Sequence, residues 1–263
     1  MTPEETAAAL LGEARLRRAP VKALPEPIRP ADDAGGYRIQ RALRAWFAER
    51  GDPPPAGYKL GCTTPVMQQM LGLDAPVYGG VRAGDVHPSG TALPASGFRA
   101  PGIECEIAVR LGADLDARGR PPSREEAADA VAEVMPAIEV VDNRYGDWSA
   151  LGPPTLIADD FFQAACILGA SAACRDPMTL DAATGRTLVD GAETGRGRGA
   201  DVLGHPLDAV CWLAGALGTQ GTILRAGALI MTGSLVKTVW LERFPAAARV
   251  EIDGIGTAEI RLD

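Results

Sequence analysis

The sequence has few of the residues that bind soft metals or form disulfide frameworks. It contains two histidines, His87 and His205, and neither belongs to a pair with the spacing of metal ligands. Its five cysteines include no CxxC pair, and residues 1–5 are acidic and polar, unlike a secretory leader. These absences argue against a zinc site and against a disulfide-stapled secreted fold, and they predict a reducing, cytoplasmic location.

Long apolar runs and an excess of positive charge are absent as well. No apolar run approaches the ~20 residues needed to cross a bilayer, so we expect no membrane segment. The net charge is -8, which argues against nucleic-acid binding through a basic patch. The 263 residues, of which 46% are hydrophobic, suffice for one large domain or for a large domain with a small appendage.

Local patterns divide the chain into a helical start and a strand-rich body. Residues 2–18 and 31–49 predict two helices, the first with Thr2 and Glu5 in a capping-box arrangement. Beyond the prolines that end the second helix, short strands alternate with glycine turns. We therefore predict an α+β fold with a small N-terminal helical cap region over 1–55 and a catalytic domain over 56–263.

Apolar periodicity and capping residues place the elements of the body. A helix capped by Ser123, with Glu126 at its third position, is the clearest of the predicted helices. The segment 176–199 is polar and glycine-rich and predicts an excursion of strands and loops. Strands are predicted at 57–61, 103–111, 136–142, 162–168 and 228–235, a C-terminal hairpin at 249–262, and helices at 64–71, 123–134 and 206–217.

Two glutamates one residue apart stand on one of these strands. Apolar residues alternate with Glu104 and Glu106 over 103–111, so the two carboxylates point to one face. Carboxylates held side by side repel each other and raise each other's pKa. Such a pair is tolerated when a positive group lies between them or when the face is solvated. This segment alone leaves open a metal or catalytic site and a wet face shared with Arg110.

A third carboxylate, Glu139, lies in the middle of another apolar strand at 137–141. A charged residue there is either turned outward or paired with a cation. Three glutamates on two core strands form a set of hard oxygen ligands. Such a set favours Mg²⁺ or Mn²⁺.

An ordered series of motifs resembles one known family. The motifs are GYKLGCTT at 57–64, MLGLDAP at 70–76, GIECE at 102–106, IEVVD at 138–142, GHPLDAVCWL at 204–213 and TGSL at 232–235. In this order they resemble the 2-keto-4-pentenoate hydratase and 2-oxo-acid decarboxylase branch of the fumarylacetoacetate hydrolase superfamily, over most of the chain. The resemblance implies a mixed β-roll or barrel with covering helices, and a homo-oligomer.

The resemblance also implies roles for individual residues. Glu104, Glu106 and Glu139 would hold one Mg²⁺ or Mn²⁺ ion, and the substrate would be a small 2-oxo acid or its dienol. Lys59 would transfer protons, because a neighbouring cation would lower its pKa. Taken alone, Lys59 could equally be a surface lysine whose stem lies along apolar side chains.

Five further positions follow from the same resemblance. Asp142 is predicted as a catalytic residue that orients water, and Arg144 as a substrate-binding residue. Thr232, Gly233 and Ser234 would form a turn that binds the substrate carboxylate. The ordinary alternatives are a strand-end turn at Asp142 and a simple tight turn at 232–234.

Two segments depart from the family pattern and lie near the expected pocket. Val77 stands where hydratases of this branch tend to carry aspartate, and it is closer to the sister decarboxylases. Phe161 and Phe162 stand where small residues are usual. They predict a bulkier or more apolar substrate end, with core packing as the alternative for the two phenylalanines.

The favoured function is metal-dependent hydration of a 2-hydroxy-2,4-dienoate to a 4-hydroxy-2-oxo acid, as in the catabolism of aromatic compounds. Decarboxylation of a 2-oxo-3-enedioate or C–C hydrolysis of an acylpyruvate would use the same glutamates. Hydrolysis is disfavoured because neither histidine lies in a His–Glu pair. A non-catalytic 2-oxo-acid-binding subunit is a further alternative, and a downstream aldolase or another pathway enzyme is a possible partner.

Overall fold

The computed structural model describes residues 1–171 and 176–263. Cys174, one of the thiols counted above, lies outside the described residues. The helices are α1 (Pro3–Leu16), α2 (Asp33–Ala48), α3 (Pro65–Leu71), α4 (Arg124–Ala130), α5 (Pro153–Ala158) and α6 (Pro206–Gly218). The strands are β1 (Gly57–Gly61), β2 (Val77–Val81), β3 (Val86–Pro88), β4 (Thr91–Leu93), β5 (Pro101–Leu111), β6 (Val131–Asp142), β7 (Gln163–Leu168), β8 (Thr184–Val189), β9 (Ala192–Arg198), β10 (Leu229–Ser234), β11 (Val239–Trp240), β12 (Ala246–Ile252) and β13 (Gly256–Leu262).

The large sheet is mixed and curled. Its strand order is β2-β1-β10-β5-β6-β7-β3, with β11 added beside β5. Most pairs are antiparallel, but β1 runs parallel to β10 and β3 runs parallel to β7. Since β2 also contacts β7, the sheet bends round towards a half-barrel with a concave face.

The opposite face of this sheet forms the main core. Ile103, Cys105 and Ile107 of β5 and Ile138 of β6 are fully buried there. They pack against a second sheet of order β4-β13-β12-β8-β9, which contains the predicted C-terminal hairpin. The predicted α+β class, a strand-rich roll with covering helices, is confirmed.

The N-terminal helices form a separate apolar layer over the sheet. Thr2 and Glu5 make the predicted capping box, and α1 packs against α2 through buried residues such as Leu11 and Leu43. The same cluster takes in α5. The boundary at residue 55 between cap region and catalytic domain stays a proposal. Within the described ranges, no helix is both long enough and apolar enough to cross a bilayer.

The prediction of a helix over 123–134 is wrong for the second half of this segment. The Ser123 capping box forms as expected, but α4 ends at Ala130 and β6 begins at Val131 rather than at Pro136. The added strand residues pair with the end of β5, and Arg110 Nε donates to Glu133 at 2.9 Å across the pair. Cross-strand pairing therefore overrides the helical periodicity of this short segment.

Candidate active site

Three glutamates meet on the concave face of the large sheet. Glu104 of β5 lies directly opposite Glu139 of β6, and Glu106 lies two residues further along the same face. One carboxylate oxygen from each residue lies within 4.8 Å of the others. Glu106 and Glu139 are fully buried, whereas Glu104 is half-buried. The interpretation of a wet strand face therefore does not hold for the cluster, and its access to solvent is on the side of Glu104.

Burial and mutual repulsion disfavour the charged forms of these glutamates. Burial, with the neighbouring carboxylates, raises the pKa of Glu106 well above its ordinary value. Burial also raises the pKa of Glu139 to about 7, although the Lys59 ammonium acts in the opposite direction.

Several oxygens of the cluster lack a hydrogen-bond donor. Among the described residues, none donates a hydrogen bond to Glu106 Oε1 or to Glu139 Oε2, and Glu139 Oε1 faces only the Lys59 ammonium. Buried polar atoms without partners are rare in proteins and call for a ligand. Three hard carboxylates whose oxygens lie this close together suit a divalent cation such as Mg²⁺ or Mn²⁺, so the residues fit the predicted ion.

Two neighbours orient these carboxylates. The Gly233 N–H donates to Glu106 Oε2 at 2.9 Å, and Thr238 Oγ1 donates to Glu104 Oε1. Gly233 has φ of +116°, and a Cβ there would lie 2.5 Å from Thr63 Oγ1, so glycine is required. Thr238 belongs to none of the sequence motifs, so its contact with Glu104 could not be predicted from the sequence.

The predicted turn at 232–234 is thus tied to the protein's own carboxylate. Thr232 Oγ1 donates to Ile107 O at 2.7 Å, and Ser234 Oγ donates to Val236 O at 2.6 Å. Both hydroxyls therefore serve the backbone, and the turn supports Glu106. A contact of these residues with the substrate carboxylate stays a prediction.

Lys59 is brought to the glutamates. It is 2% exposed, and its Nζ lies 3.3 Å from Glu139 Oε1 and 5.4 Å from the centre of the Phe161 ring. The alternative of a surface lysine is excluded by this burial. Burial alone would lower the pKa of Lys59, but the three carboxylates outweigh it and raise that pKa. The pKa of Lys59 can therefore be lowered, as predicted, only when a bound cation offsets the negative charge of the glutamates.

Asp142 and Arg144 lie apart from the cluster. Asp142 Oδ1 accepts from the backbone N–H groups of Arg99 and Ala100 at 2.9 and 2.8 Å, so this carboxylate ties the end of β6 to the segment before β5. In the described part of the chain, no hydrogen bond or ion pair joins Asp142 to the glutamates. Arg144 donates from Nη1 to Gln163 O at 2.6 Å and from Nη2 to Asp159 O at 2.9 Å. Their predicted catalytic and substrate-binding roles stay proposals.

A buried charge network, which the sequence did not reveal, supports the segment 159–163. Arg15 of α1 donates from Nε to Asp159 Oδ1 at 2.6 Å, and its Nη2 lies 3.0 Å from Asp160 Oδ2. Arg144 Nε also donates to Asp159, at 3.1 Å. Burial would raise the pKa of Asp159, but the two guanidinium groups outweigh it and lower that pKa. The N-terminal helix is therefore anchored close to the site.

The anchored segment contains a left-handed turn of three consecutive residues other than glycine. Asp160, Phe161 and Phe162 have φ of 52°, 49° and 69°. Left-handed backbone costs each such residue roughly 1–2 kcal/mol, so the surrounding contacts must hold it in place. The turn sets the Phe161 ring over Lys59.

The two aromatic residues of this turn both pack in the apolar cluster of the N-terminal helices and differ in burial. Phe161 is buried in the same apolar cluster as Val77, which agrees with the core-packing alternative for this phenylalanine. Phe162 is half-buried and meets the rings of Tyr145 and Trp148 edge-on. Contact of Val77, Phe161 or Phe162 with the substrate stays a proposal.

We expect Arg15→Ala to destabilise the fold by about 3 kcal/mol, because it leaves buried carboxylates without one of their counter-charges. Loosening of the left-handed turn should also lower the activity measured at a temperature where the variant is folded. Thermal unfolding and initial rates test both effects. The control is Arg17→Ala at the C-cap of the same helix, whose side chain is mostly exposed. Equal stabilities of the two variants would contradict the anchoring role of Arg15.

Comparison with known proteins gives concordant results. Residues 76–263 match the family model for the C-terminal domain of fumarylacetoacetate hydrolase. The chain is 34% identical over 253 residues to a 2-keto-4-pentenoate hydratase of Burkholderia vietnamiensis, covering 95% of this chain and 94% of the relative. It is 36% identical over 214 residues to a 2-hydroxyhexa-2,4-dienoate hydratase of Comamonas testosteroni, covering 78% of this chain and 77% of that one.

A solved structure matches the whole chain. It is the 4-oxalocrotonate decarboxylase of Pseudomonas putida G7 in complex with magnesium and adipate. The TM-score is 0.90 at 27% identity, and the alignment covers 99% of this chain and 97% of the decarboxylase. Hydratases and a decarboxylase are therefore both similar to this chain.

Proposed function

This chain belongs to the fumarylacetoacetate hydrolase family, and on that basis we propose that it is a divalent-metal-dependent hydro-lyase. Its substrate would be a 2-hydroxy-2,4-dienoate of the 2-keto-4-pentenoate type, and its product a 4-hydroxy-2-oxo acid. The observation that carries the proposal is the cluster of Glu104, Glu106 and Glu139, two of them fully buried, with the buried Lys59 beside it. Similarity to hydratases over nearly the full length supports the choice of reaction.

We propose that the three glutamates hold Mg²⁺ or Mn²⁺. When bound, such an ion polarises the oxygens of a 2-oxo acid as a Lewis acid. Gly233 and Thr238 keep two of the carboxylates in the orientation that the ion needs.

The remaining chemistry is proton transfer. Hydration removes the proton of the 2-hydroxyl group, adds a proton at C5 to give the conjugated enone, then adds hydroxyl at C4 and a proton at C3. A buried amine next to the glutamates can deliver and take up such protons, and Lys59 has this position. The Phe161 ring covers the ammonium on one side and excludes water there.

Decarboxylation of a 2-oxo-3-enedioate is the second candidate, because of the close structural similarity to a decarboxylase. Against it, the buried guanidinium groups of Arg15 and Arg144 are already paired with aspartates. C–C hydrolysis is less well supported. His205 Nδ1 accepts from the Leu207 N–H and caps α6, so this histidine has a structural role.

The test is direct. The protein is incubated with Mg²⁺ and either a 2-hydroxy-2,4-dienoate or a 2-oxo-3-enedioate, and the products are identified by mass. Gain of one water by the dienoate supports the proposal, and loss of carbon dioxide from the enedioate supports the second candidate. Mg²⁺-dependent binding of oxalate with no turnover of either substrate would contradict both and support a non-catalytic binding subunit.

Three further predictions belong to the same proposal. A cytoplasmic location is consistent with the free thiols of Cys62, Cys105, Cys166 and Cys211. Assembly into a homo-oligomer rests on the family. A role in the catabolism of aromatic compounds fits a product that an aldolase can cleave, because a 4-hydroxy-2-oxo acid is an aldol.

A further inference from the structure

Gln163, the first residue of β7, is a buried amide without a partner. Its side chain is 2% exposed, and neither Oε1 nor Nε2 has a hydrogen-bond partner among the described residues. A buried amide that makes no hydrogen bond is costly, so a retained one calls for a ligand or a bound water. No motif in the sequence pointed to this residue.

The sheet register places Gln163 on the face that carries the glutamates. Glu139 pairs with Cys166, and Val141 pairs with Gln163, because the register shifts by one residue between them. Cross-strand partners share a face, so Gln163 lies on the face of Val141 and Glu139. It belongs to the cross-strand row next to that of Glu104 and Glu139.

This neighbouring row lies at the open side of the site. It runs from Trp240 of β11 through Gly102 and Val141 to Gln163. Trp240 is 47% exposed and packs on Gly102, two residues before the half-buried Glu104, whereas Glu106, two residues after Glu104, is fully buried. A ligand held at its 2-oxo acid end by the glutamates would extend across this row.

The backbone of Gln163 is held in place. Its carbonyl accepts from Arg144 Nη1 at 2.6 Å, and its N–H donates to Asp160 O at 3.2 Å. The left-handed turn ends immediately before it. The left-handed turn and the charge network that anchors it therefore fix the backbone position from which the uncharged side chain of Gln163 extends.

We propose that the Gln163 side-chain amide binds the oxygen that is added at C4, first as water and then as the product hydroxyl. The inference rests on the proposed function. A primary amide both donates and accepts, which matches a neutral hydroxyl. A distal carboxylate would find the nearby guanidinium groups of Arg15 and Arg144 already paired with Asp159 and Asp160. The distal subsite is therefore suited to uncharged dienoate ends rather than to enedioates.

The test uses two ligands that differ in one hydroxyl. Calorimetry with Mg²⁺ present measures the binding of 4-hydroxy-2-oxopentanoate and of 2-oxopentanoate. We expect wild type to prefer the hydroxylated ligand about tenfold, and Gln163→Met to reduce this ratio to about one. Thermal unfolding of the variant should be unchanged or raised, because an unsatisfied amide is replaced by an apolar chain of similar length. Gln69→Met, at an exposed position, is the control and should keep the ratio.

The outcomes separate this inference from the proposed function. If Gln163→Met keeps the ratio, or weakens both ligands equally with a lower unfolding temperature, the role of Gln163 is structural and the inference is overturned. Hydration by wild type would still stand in that case. If wild type turns over no dienoate but the ratio falls only in Gln163→Met, the subsite stands and the proposed reaction is wrong.

Discussion

Glu106→Gln is expected to lower turnover on the order of a thousandfold and to remove the stabilisation of the fold by Mg²⁺. Glu106 is fully buried, its Oε1 has no hydrogen-bond partner in the described part of the chain, and one of its carboxylate oxygens lies within 4.8 Å of oxygens of Glu104 and Glu139. Glutamine keeps the shape of the side chain and can still accept from the Gly233 N–H, but it lacks the negative charge. The loss of one of three anionic ligands should weaken the binding of the ion. A bound ion would supply several kcal/mol of catalysis.

The same substitution should stabilise the metal-free protein by about 1–3 kcal/mol. Without a cation, wild type holds the buried carboxylates of Glu106 and Glu139 next to the half-buried Glu104, and burial together with these neighbours raises the pKa of Glu106. A neutral amide relieves the repulsion. The variant would therefore be more stable than wild type in EDTA, and wild type would be more stable than the variant at saturating Mg²⁺.

Unfolding temperatures of wild type and variant, measured in EDTA and across a Mg²⁺ titration, test this reversal of relative stability. Glu133→Gln is the matched control, because Glu133 lies on the neighbouring strand and pairs with Arg110 near the surface. The control should respond to Mg²⁺ as wild type does. A Mg²⁺-dependent rise of the same size in Glu106→Gln would contradict the assignment of Glu106 as a ligand.

The glutamate cluster illustrates what could be predicted from the sequence. Period-two alternation put Glu104 and Glu106 on one face, because that relation is local to a single strand. That Glu139 stands opposite Glu104 depends on the register between two strands, which alternation does not encode. The ordered family motifs supplied this long-range relation, and the structure confirms that the three residues meet.

The segment at 159–163 shows why other features could not be predicted. Arg15 and Asp159 are far apart in the chain, and a basic residue at the end of a helix is already explained by the helix dipole. A left-handed backbone is expected at glycine or asparagine, not at Phe161. Tertiary contacts decide both features, as they decide the early start of β6 at Val131.

Lys59→Met is expected to lower turnover about 10²- to 10⁴-fold while the Mg²⁺-loaded protein stays folded. The ammonium of Lys59 is buried next to Glu139 and under the Phe161 ring, and the proposed hydration requires proton transfer at that place. In EDTA the variant should be less stable than wild type by about 3 kcal/mol, because Glu139 loses its buried counter-charge. A bound cation replaces that charge, so Mg²⁺ should restore most of the stability but none of the turnover.

Lys59→Arg separates the two roles of this side chain. A guanidinium keeps the positive charge but does not lose its proton, so it should recover the stability in EDTA and leave turnover low. Rates and unfolding temperatures of both variants are compared with those of Lys22→Met, at an exposed lysine that should behave as wild type. Recovery of turnover by Lys59→Arg would mean that Lys59 acts through its charge. Proton transfer would then have to be assigned to another group on the concave face.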